Sequence, residues 1–148
     1  MSFSSEVRKE LTELTGDARH CMIAEIGGFL LIAGKIECEK GKFSIQIQIE
    51  NEAIARKYFT MIKKAFNINT EIVLKTSKKF HKKQTYMLVT KDSDEAHKIL
   101  IATTLLKYEG GDVALRDHVD LTVIQSTCCK RAYLRGAFLG AGSVSDPE

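Results

Sequence analysis

The sequence predicts an α/β domain of the α+β type, in which helices cover one face of a four-stranded antiparallel sheet. The segment Lys42–Ile49 alternates apolar and polar residues, as a half-buried strand does. The segment Glu52–Phe66 repeats apolar residues at helical spacing. The segments follow one another as helix, helix, two strands, helix, two strands and helix, and this order is typical of one layered α/β unit.

Local signals place each element. We expect helices at residues 3–14, 18–33, 52–66 and 94–107, and strands at residues 35–39, 42–49, 70–76 and 84–91. Gly34 suits a left-handed cap at the end of the second helix, and Asn51 suits the N-cap of the third. Asp92 and Glu95 are spaced as a capping box for the fourth helix. The apolar stretch at residues 112–127 is expected to pack as helix or extended chain.

The chain contains an incomplete internal repeat. Residues 21–36 align without a gap with residues 129–144. The identical pairs are Cys21/Cys129, Ala24/Ala132, Gly28/Gly136, Leu31/Leu139, Ala33/Ala141 and Gly34/Gly142. Because both copies read as a helix that leads into a strand, we expect a pseudo-symmetric architecture.

Small residues at four-residue spacing predict that the two repeat helices pack closely. Ala132, Gly136 and Gly140 lie on one face of the second copy, and Ala24 and Gly28 have the same spacing in the first. Glycine inside a helix costs about 0.5–1 kcal/mol relative to alanine, so its presence indicates a packing requirement. The alternative, a phosphate-binding glycine loop, is disfavoured because no Lys-Ser/Thr pair follows the glycines.

Two sets of residues resemble known families. The segment that begins at Leu134, Leu-Arg-Gly-Ala-Phe-Leu-Gly-Ala-Gly-Ser-Val, resembles the LAGLIDADG motif of homing endonucleases. The N-terminal Met-Ser-Phe-Ser-Ser-Glu-Val, the run from Glu50 to Arg56 and the segment that begins at Cys128 resemble the WhiA family of bacterial sporulation regulators over the whole chain. This resemblance implies two motif helices at a two-fold axis, in a domain that precedes a helix-turn-helix domain. The chain thus looks like a fragment, with a first half at residues 1–111 and a connector and second motif helix at residues 112–148.

The resemblance also implies that nuclease activity is lost. Homing endonucleases hold divalent metals with one acidic residue at the end of each motif helix. Ala33 and Ala141 stand at those positions here, and the nearest acids, Glu37 and Asp146, are displaced and not equivalent. We therefore expect no enzyme activity, no cofactor and no metal, with an active nuclease as the least favoured function.

The cysteines offer an alternative chemistry. His20-Cys21 and Cys128-Cys129 could converge into a thiol cluster or metal site if the motif helices pack together. We favour the interpretation that these cysteines are small buried apolar side chains, since neighbours such as Cys128 and Cys129 can hardly chelate one zinc ion. The absence of a C-x-x-C pair also favours reduced thiols in a cytoplasmic protein.

Positive charge is concentrated in one stretch, although the net charge of the chain is only +3. No acidic residue occurs between Glu71 and Asp92, whereas that interval holds several lysines. A local basic patch is typical of a polyanion-binding surface, and a solvated loop is the alternative. The glutamines on the polar side of the strand at residues 42–49 could contact bases, or belong to a solvated sheet face. The predicted DNA-binding residues are Gln46, Gln48, Lys75, Lys78, Lys79, Lys82 and Lys83.

We therefore predict a catalytically inactive DNA-binding domain of a transcription regulator. The competing hypothesis is a protein-interaction scaffold whose DNA binding resides in a helix-turn-helix domain. DNA is the expected partner, and a homodimer is expected because Tyr133, Phe138 and Leu139 would lack the cover of a second sheet. No apolar run reaches the length of about 18 residues needed to span a membrane, so we expect a cytoplasmic protein.

Overall fold

Helices lie on one face of an antiparallel sheet in the computed structural model of the chain, which describes residues 18–76, 84–110 and 112–143. The predicted helix at residues 3–14 and the lysine-rich connection at residues 77–83 lie outside the described residues. The helices are α1 (Arg19–Ala33), α2 (Glu52–Phe66), α3 (Ser93–Ala102) and α4 (Thr127–Ser143). The strands are β1 (Gly34–Glu39), β2 (Lys42–Ile49), β3 (Glu71–Thr76), β4 (Gln84–Thr90), β5 (Leu106–Glu109) and β6 (Asp112–Leu115).

The first four strands form one antiparallel sheet in the order β1-β2-β4-β3. Lys40 and Gly41, at φ values of 52° and 77°, make the tight turn between β1 and β2, as a two-residue hairpin with a right-handed twist requires. The register pairs Ile47 with Leu88 and Ile72 with Leu88, so apolar side chains of neighbouring strands share one face. This confirms the predicted α+β class with its four-stranded sheet.

The core lies between that apolar face and the helices. Helices α2 and α3 pack on the sheet, and α1 packs on α2 and on β2. The four inward residues of β2 are all buried, namely Phe43, Ile45, Ile47 and Ile49. Phe29 of α1 stacks on Tyr58 of α2 with ring centroids 3.7 Å apart. Burial of side chains of this size contributes about 1.5–3 kcal/mol each, so this layer dominates the stability of the fold.

Two predicted details are wrong. Helix α3 ends at Ala102, not at residue 107, because Thr104 takes a left-handed conformation (φ 59°) and turns the chain. Leu105 and Leu106 are therefore buried outside the helix, although their spacing also fits a helical stripe. Gly34 is extended (φ −81°, ψ 143°) and not left-handed, because β1 begins there without a loop. A Cβ atom at Gly34 would lie 2.7 Å from the Leu30 carbonyl oxygen, so close approach explains this glycine.

The stretch at residues 112–127 contains extended chain and a helical turn, as expected, in an arrangement that the sequence did not specify. Strands β5 and β6 pair as a second antiparallel sheet, and Leu121–Ile124 forms a 3₁₀ helix. The Asp120 side chain accepts a hydrogen bond from the Thr122 amide and caps that turn. The connector therefore packs as a short hairpin and a helical turn that lead directly into α4.

Candidate functional site

Helices α1 and α4, here called the motif helices, approach each other closely enough to exclude side chains. A Cβ atom on Gly28 would lie 2.3 Å from the Tyr133 carbonyl oxygen, and one on Gly136 would lie 2.0 Å from the Glu25 carbonyl oxygen. Ala24 and Ala132 are fully buried, and a Cβ atom on Gly140 would lie 3.1 Å from Ile32. The structure thus brings together the five residues that the repeat singles out.

The contact between the motif helices is symmetric in the repeat numbering. Gly28 and Gly136 are equivalent positions, and so are Glu25 and Tyr133, whose carbonyl groups the two glycines face. Each glycine therefore meets the equivalent carbonyl group of the other helix, as a local two-fold axis requires. The axis passes between the two small-residue faces.

A buried charge network joins this helix pair to the rest of the core. Glu25 of α1 is 1% exposed, and its carboxylate accepts hydrogen bonds from Lys57 Nζ at 2.8 Å, Tyr58 Oη at 3.0 Å and Arg135 Nε at 2.8 Å. Lys57 and Tyr58 belong to α2, whereas Arg135 belongs to α4. One carboxylate therefore holds three helices together.

Burial sets the electrostatics of that network. It lowers the pKa of Lys57, although the contact with Glu25 opposes this effect. Burial also raises the pKa of Tyr58 well above its usual value, and the nearby Glu25 carboxylate adds to the rise. The sequence did not predict this network, because its members are far apart along the chain. One sequence feature could have indicated the network. Glu25 is the one acidic or basic residue among positions 20–34, apart from His20, and an isolated acid in an apolar helix indicates a buried, paired carboxylate.

The face of the sheet opposite the helices presents the predicted glutamines. Gln46 is half-buried and Gln48 is exposed, and Lys75 is exposed on β3. The register places Gln46 beside Lys35 and Val89, and Gln48 beside Met87. We call this surface the open face. Lys78, Lys79, Lys82 and Lys83 lie outside the described residues.

Charges on the described strands of the open face are balanced. The register puts three lysines and three glutamates there, namely Lys35, Lys42, Lys75, Glu37, Glu39 and Glu71. Lys35 pairs with Glu37 at 3.6 Å, and Glu71 pairs with Lys91 at 3.4 Å. The strands therefore supply polar groups without a net charge, and any excess of positive charge must come from the residues around them.

The C-terminal ends of the motif helices carry alanine. Ala33 is the last residue of α1 and is half-buried, and Ala141 is exposed in the last turn of α4. Glu37 lies further along β1 with an exposed side chain, and Asp146 is outside the described residues.

The outer face of α4, which points away from α1, exposes large apolar side chains to solvent. Leu134 is 65% exposed and Phe138 is 41% exposed. The expectation that Tyr133 and Leu139 lack cover is wrong. Leu139 is fully buried in the main core and Tyr133 packs against it, because both lie on the side of α4 that faces the first half.

Four metal-ligand side chains meet where the motif helices begin. His20 Nδ1 lies 3.1 Å from Cys129 Sγ and 3.6 Å from Cys21 Sγ, and the ligand atoms of His20, Cys21, Cys128 and Cys129 all lie within 4.8 Å of one another. Burial raises the pKa of the Cys21 thiol to about 11, with a further contribution from Cys128. A hydrogen bond with Ser126 lowers the pKa of Cys128. The convergence of His20-Cys21 with Cys128-Cys129, the less favoured interpretation of the sequence, is therefore present in the structure.

Within the described ranges, no helix is both long and apolar enough to cross a membrane.

Comparison with protein families and solved structures matches the chain to LAGLIDADG-like domains. The model of the WhiA N-terminal LAGLIDADG-like domain matches residues 19–106, and that of the WhiA LAGLIDADG-like domain matches residues 130–148. The crystal structure of the N-terminal LAGLIDADG domain of WhiA has a TM-score of 0.62 at 17% identity, covering 94% of this chain and 58% of that one. Full-length WhiA from Thermatoga maritima has a TM-score of 0.58, also at 17% identity, covering 94% of this chain and 39% of that one. These likenesses show the fold.

Curated relatives share more of the sequence. A protein of Lachnoclostridium phytofermentans is 48% identical over 150 residues, which cover 100% of this chain and 47% of the relative. A protein of Alkaliphilus metalliredigens is 38% identical over 151 residues, again covering 100% of this chain and 47% of the relative. Both are named probable cell division protein WhiA. The chain spans about half the length of these relatives, and it belongs to the WhiA family.

Proposed function

We propose that this chain is the DNA-binding LAGLIDADG-like domain of a WhiA-type transcription regulator of cell division and sporulation, and that it does not cleave DNA. One observation carries the proposal. The helices cover one face of the sheet, while the open face carries Gln46 and Gln48 beside strands that lead to the lysine-rich connection at residues 77–83.

The open face has the chemistry that a DNA groove requires. A glutamine amide can donate to and accept from one adenine edge, and antiparallel strands are narrow enough to enter the major groove. Because the charges on the described strands are balanced, attraction to phosphates would come from Lys78, Lys79, Lys82 and Lys83. Such contacts position the protein, and the glutamines would contribute sequence preference.

The ends of the motif helices support the absence of cleavage. Ala33 and Ala141 carry no metal-ligating atom, so these residues do not fit the divalent metals of a homing endonuclease. Glu37 is exposed on the open face and paired with Lys35, so it does not replace them.

We further propose that residues 1–111 form the first half of a two-half domain and that α4 opens the second half. The close packing of α4 on α1 and the bare outer face of α4 support this division.

DNA binding is tested by fluorescence anisotropy on a labelled duplex over a series of salt concentrations. We expect the logarithm of affinity to fall with the logarithm of salt with a slope of about −0.9 for each phosphate contacted. Replacement of Lys78, Lys79, Lys82 and Lys83 by glutamine should weaken binding and flatten that slope.

The matched control replaces four exposed lysines on helices, Lys63, Lys64, Lys98 and Lys130, by glutamine. It removes the same total charge away from the open face, so it should retain most of the affinity and the slope. An equal loss in both variants, or no binding by the parent chain, would count against the proposed surface.

A second function has its own support. The exposed Leu134 and Phe138 favour an interaction scaffold, in which α4 docks on a second chain as a homodimer while a helix-turn-helix domain binds DNA. A chain that dimerises through α4 and has no affinity for duplex DNA would favour this alternative.

A further inference from the structure

We propose that His20, Cys21, Cys128 and Cys129 bind one Zn²⁺ ion, which joins the N-terminal ends of the two motif helices. One histidine and three cysteines form a ligand set that structural zinc sites use. The proposal is independent of DNA binding, because the cluster lies at the opposite end of the motif helices from Ala33 and Ala141.

The spacing of the four ligand atoms is close to that of a zinc tetrahedron. With bond lengths of about 2.3 Å to sulfur and about 2.0–2.1 Å to nitrogen, the edges of the tetrahedron are about 3.8 Å between sulfurs and about 3.5 Å between sulfur and nitrogen. The nitrogen of His20 lies 3.1 Å and 3.6 Å from the sulfurs of Cys129 and Cys21. No pair of ligand atoms exceeds 4.8 Å. Side-chain movements of about 1 Å therefore suffice to enclose an ion.

The ligands occupy equivalent places in the two repeats. The offset that aligns Cys21 with Cys129 also aligns His20 with Cys128. Each motif helix thus contributes two consecutive residues from its first turn, and the pairs face each other across the local two-fold axis. This symmetry answers the objection that neighbouring cysteines diverge, because both sulfur atoms of α4 lie near both ligands of α1.

The position of the ligands favours bound thiolates in one respect. Both pairs lie in the first turn of a helix, where the helix dipole favours negative charge. The Ser126 hydroxyl lies 3.1 Å from Cys128 Sγ and can orient it. Cys21 and Cys129 are buried against Ala24 and Ala132, whereas His20 and Cys128 are exposed and leave a path for the ion to enter.

Such an ion would act as a structural link. Three thiolates and one imidazole fill a tetrahedral zinc and leave no open position for a water nucleophile. The bound ion would hold α4 against α1 at the end where the closest glycine contacts are absent, and would so fix the angle between the two halves.

The test is metal analysis of the chain purified under reducing conditions with zinc present. We expect about one zinc ion per chain, and cobalt substitution should give the thiolate charge-transfer and intense visible bands of a tetrahedral site. Cys21→Ser and Cys129→Ser should lose both signals. His20→Ala and Cys128→Ser alter exposed residues, so they test the site without the risk of disrupting the core.

Cys38 supplies the matched control, since it is an exposed cysteine on β1 outside the cluster. Cys38→Ser should keep the full zinc content, and a chelator should lower the Tm of that variant and of the parent chain but not of Cys128→Ser. Less than about one tenth of a zinc ion per chain with four titratable thiols, or a disulfide between the motif helices, would overturn the proposal. Retention of zinc by the Cys128→Ser and His20→Ala variants would also overturn it.

Discussion

The two motif helices share a sequence pattern and differ in what covers them. Ile26 and Leu30 of α1 are 1% and 2% exposed, whereas the equivalent Leu134 and Phe138 of α4 are 65% and 41% exposed. The helix-to-helix contact is the same for both, because each glycine meets the equivalent carbonyl group. The difference arises on the outer faces, since the four-stranded sheet and α2 cover α1, and no described element takes that place beside α4. The inner face of each motif helix is therefore covered by the other motif helix. The outer face must be covered by the sheet and helix of the same half.

The largest effect is expected from breaking the charge network, whose buried carboxylate belongs to α1. Tyr133 takes the place of Glu25 in α4, so the buried carboxylate has no equivalent there. Glu25→Ala would remove the buried carboxylate that contacts Lys57, Tyr58 and Arg135, and should lower the free energy of unfolding by about 3–5 kcal/mol in urea denaturation. Glu37→Ala removes an exposed ion pair and should change it by less than about 0.5 kcal/mol. Similar effects of the two substitutions would contradict this account.

Matched substitutions at equivalent positions test the comparison itself. Ile26→Ala leaves a cavity in the core and should cost about 2–5 kcal/mol of unfolding free energy, whereas Leu134→Ala on the bare face should change it by no more than about 0.5 kcal/mol. Thermal or chemical denaturation measures both. Equal losses would mean that α4 is covered as well as α1.

A glycine series measures the shared contact. Gly136→Ala and Gly28→Ala place a methyl group against a backbone carbonyl and should each destabilise the chain by about 1–3 kcal/mol. Gly140→Ala meets its neighbours at 3.1 Å, and the better helix propensity of alanine, about 1 kcal/mol, should leave it close to neutral. If Gly140→Ala is the most harmful of the three in urea denaturation, the packing described above is incorrect.

The smallest effect on stability is expected for substitutions on the exposed outer face of α4, which test association between chains. Replacing Leu134 and Phe138 by lysine should leave the free energy of unfolding almost unchanged, because both side chains are exposed. It should remove any dimer that sedimentation equilibrium detects in the parent chain. A dimer that persists in the double variant would place the interface elsewhere.

The sequence predicted those features that local patterns determine. Alternation in β2, the Asn51 cap and the Lys40-Gly41 turn are properties of neighbouring residues, and the structure contains all three. The end of α3 could not be predicted, because Leu105 and Leu106 are apolar at helical spacing and only the left-handed Thr104 separates them from the helix.

The candidate sites depended on long-range contacts. Two of the three partners of Glu25, Tyr58 and Arg135, lie 33 and 110 residues away along the chain, so no local motif predicts the network. The small-residue faces located the helix pair, but the rotation of each helix decides whether His20 and Cys128 meet, and that rotation is a tertiary property. The open face could be predicted from the sequence, because the alternation of residues along β2 separates the polar side of that strand from its buried side.

Backbone amide NMR of the chain with increasing amounts of duplex DNA tests the proposed function most directly. We expect the chemical shifts of Gln46, Gln48 and Lys75 on the open face to change, while those of Leu134 and Phe138 on α4 stay unaffected. Shift changes confined to α4, or none at a DNA excess, would contradict the claim that this domain binds DNA through its sheet.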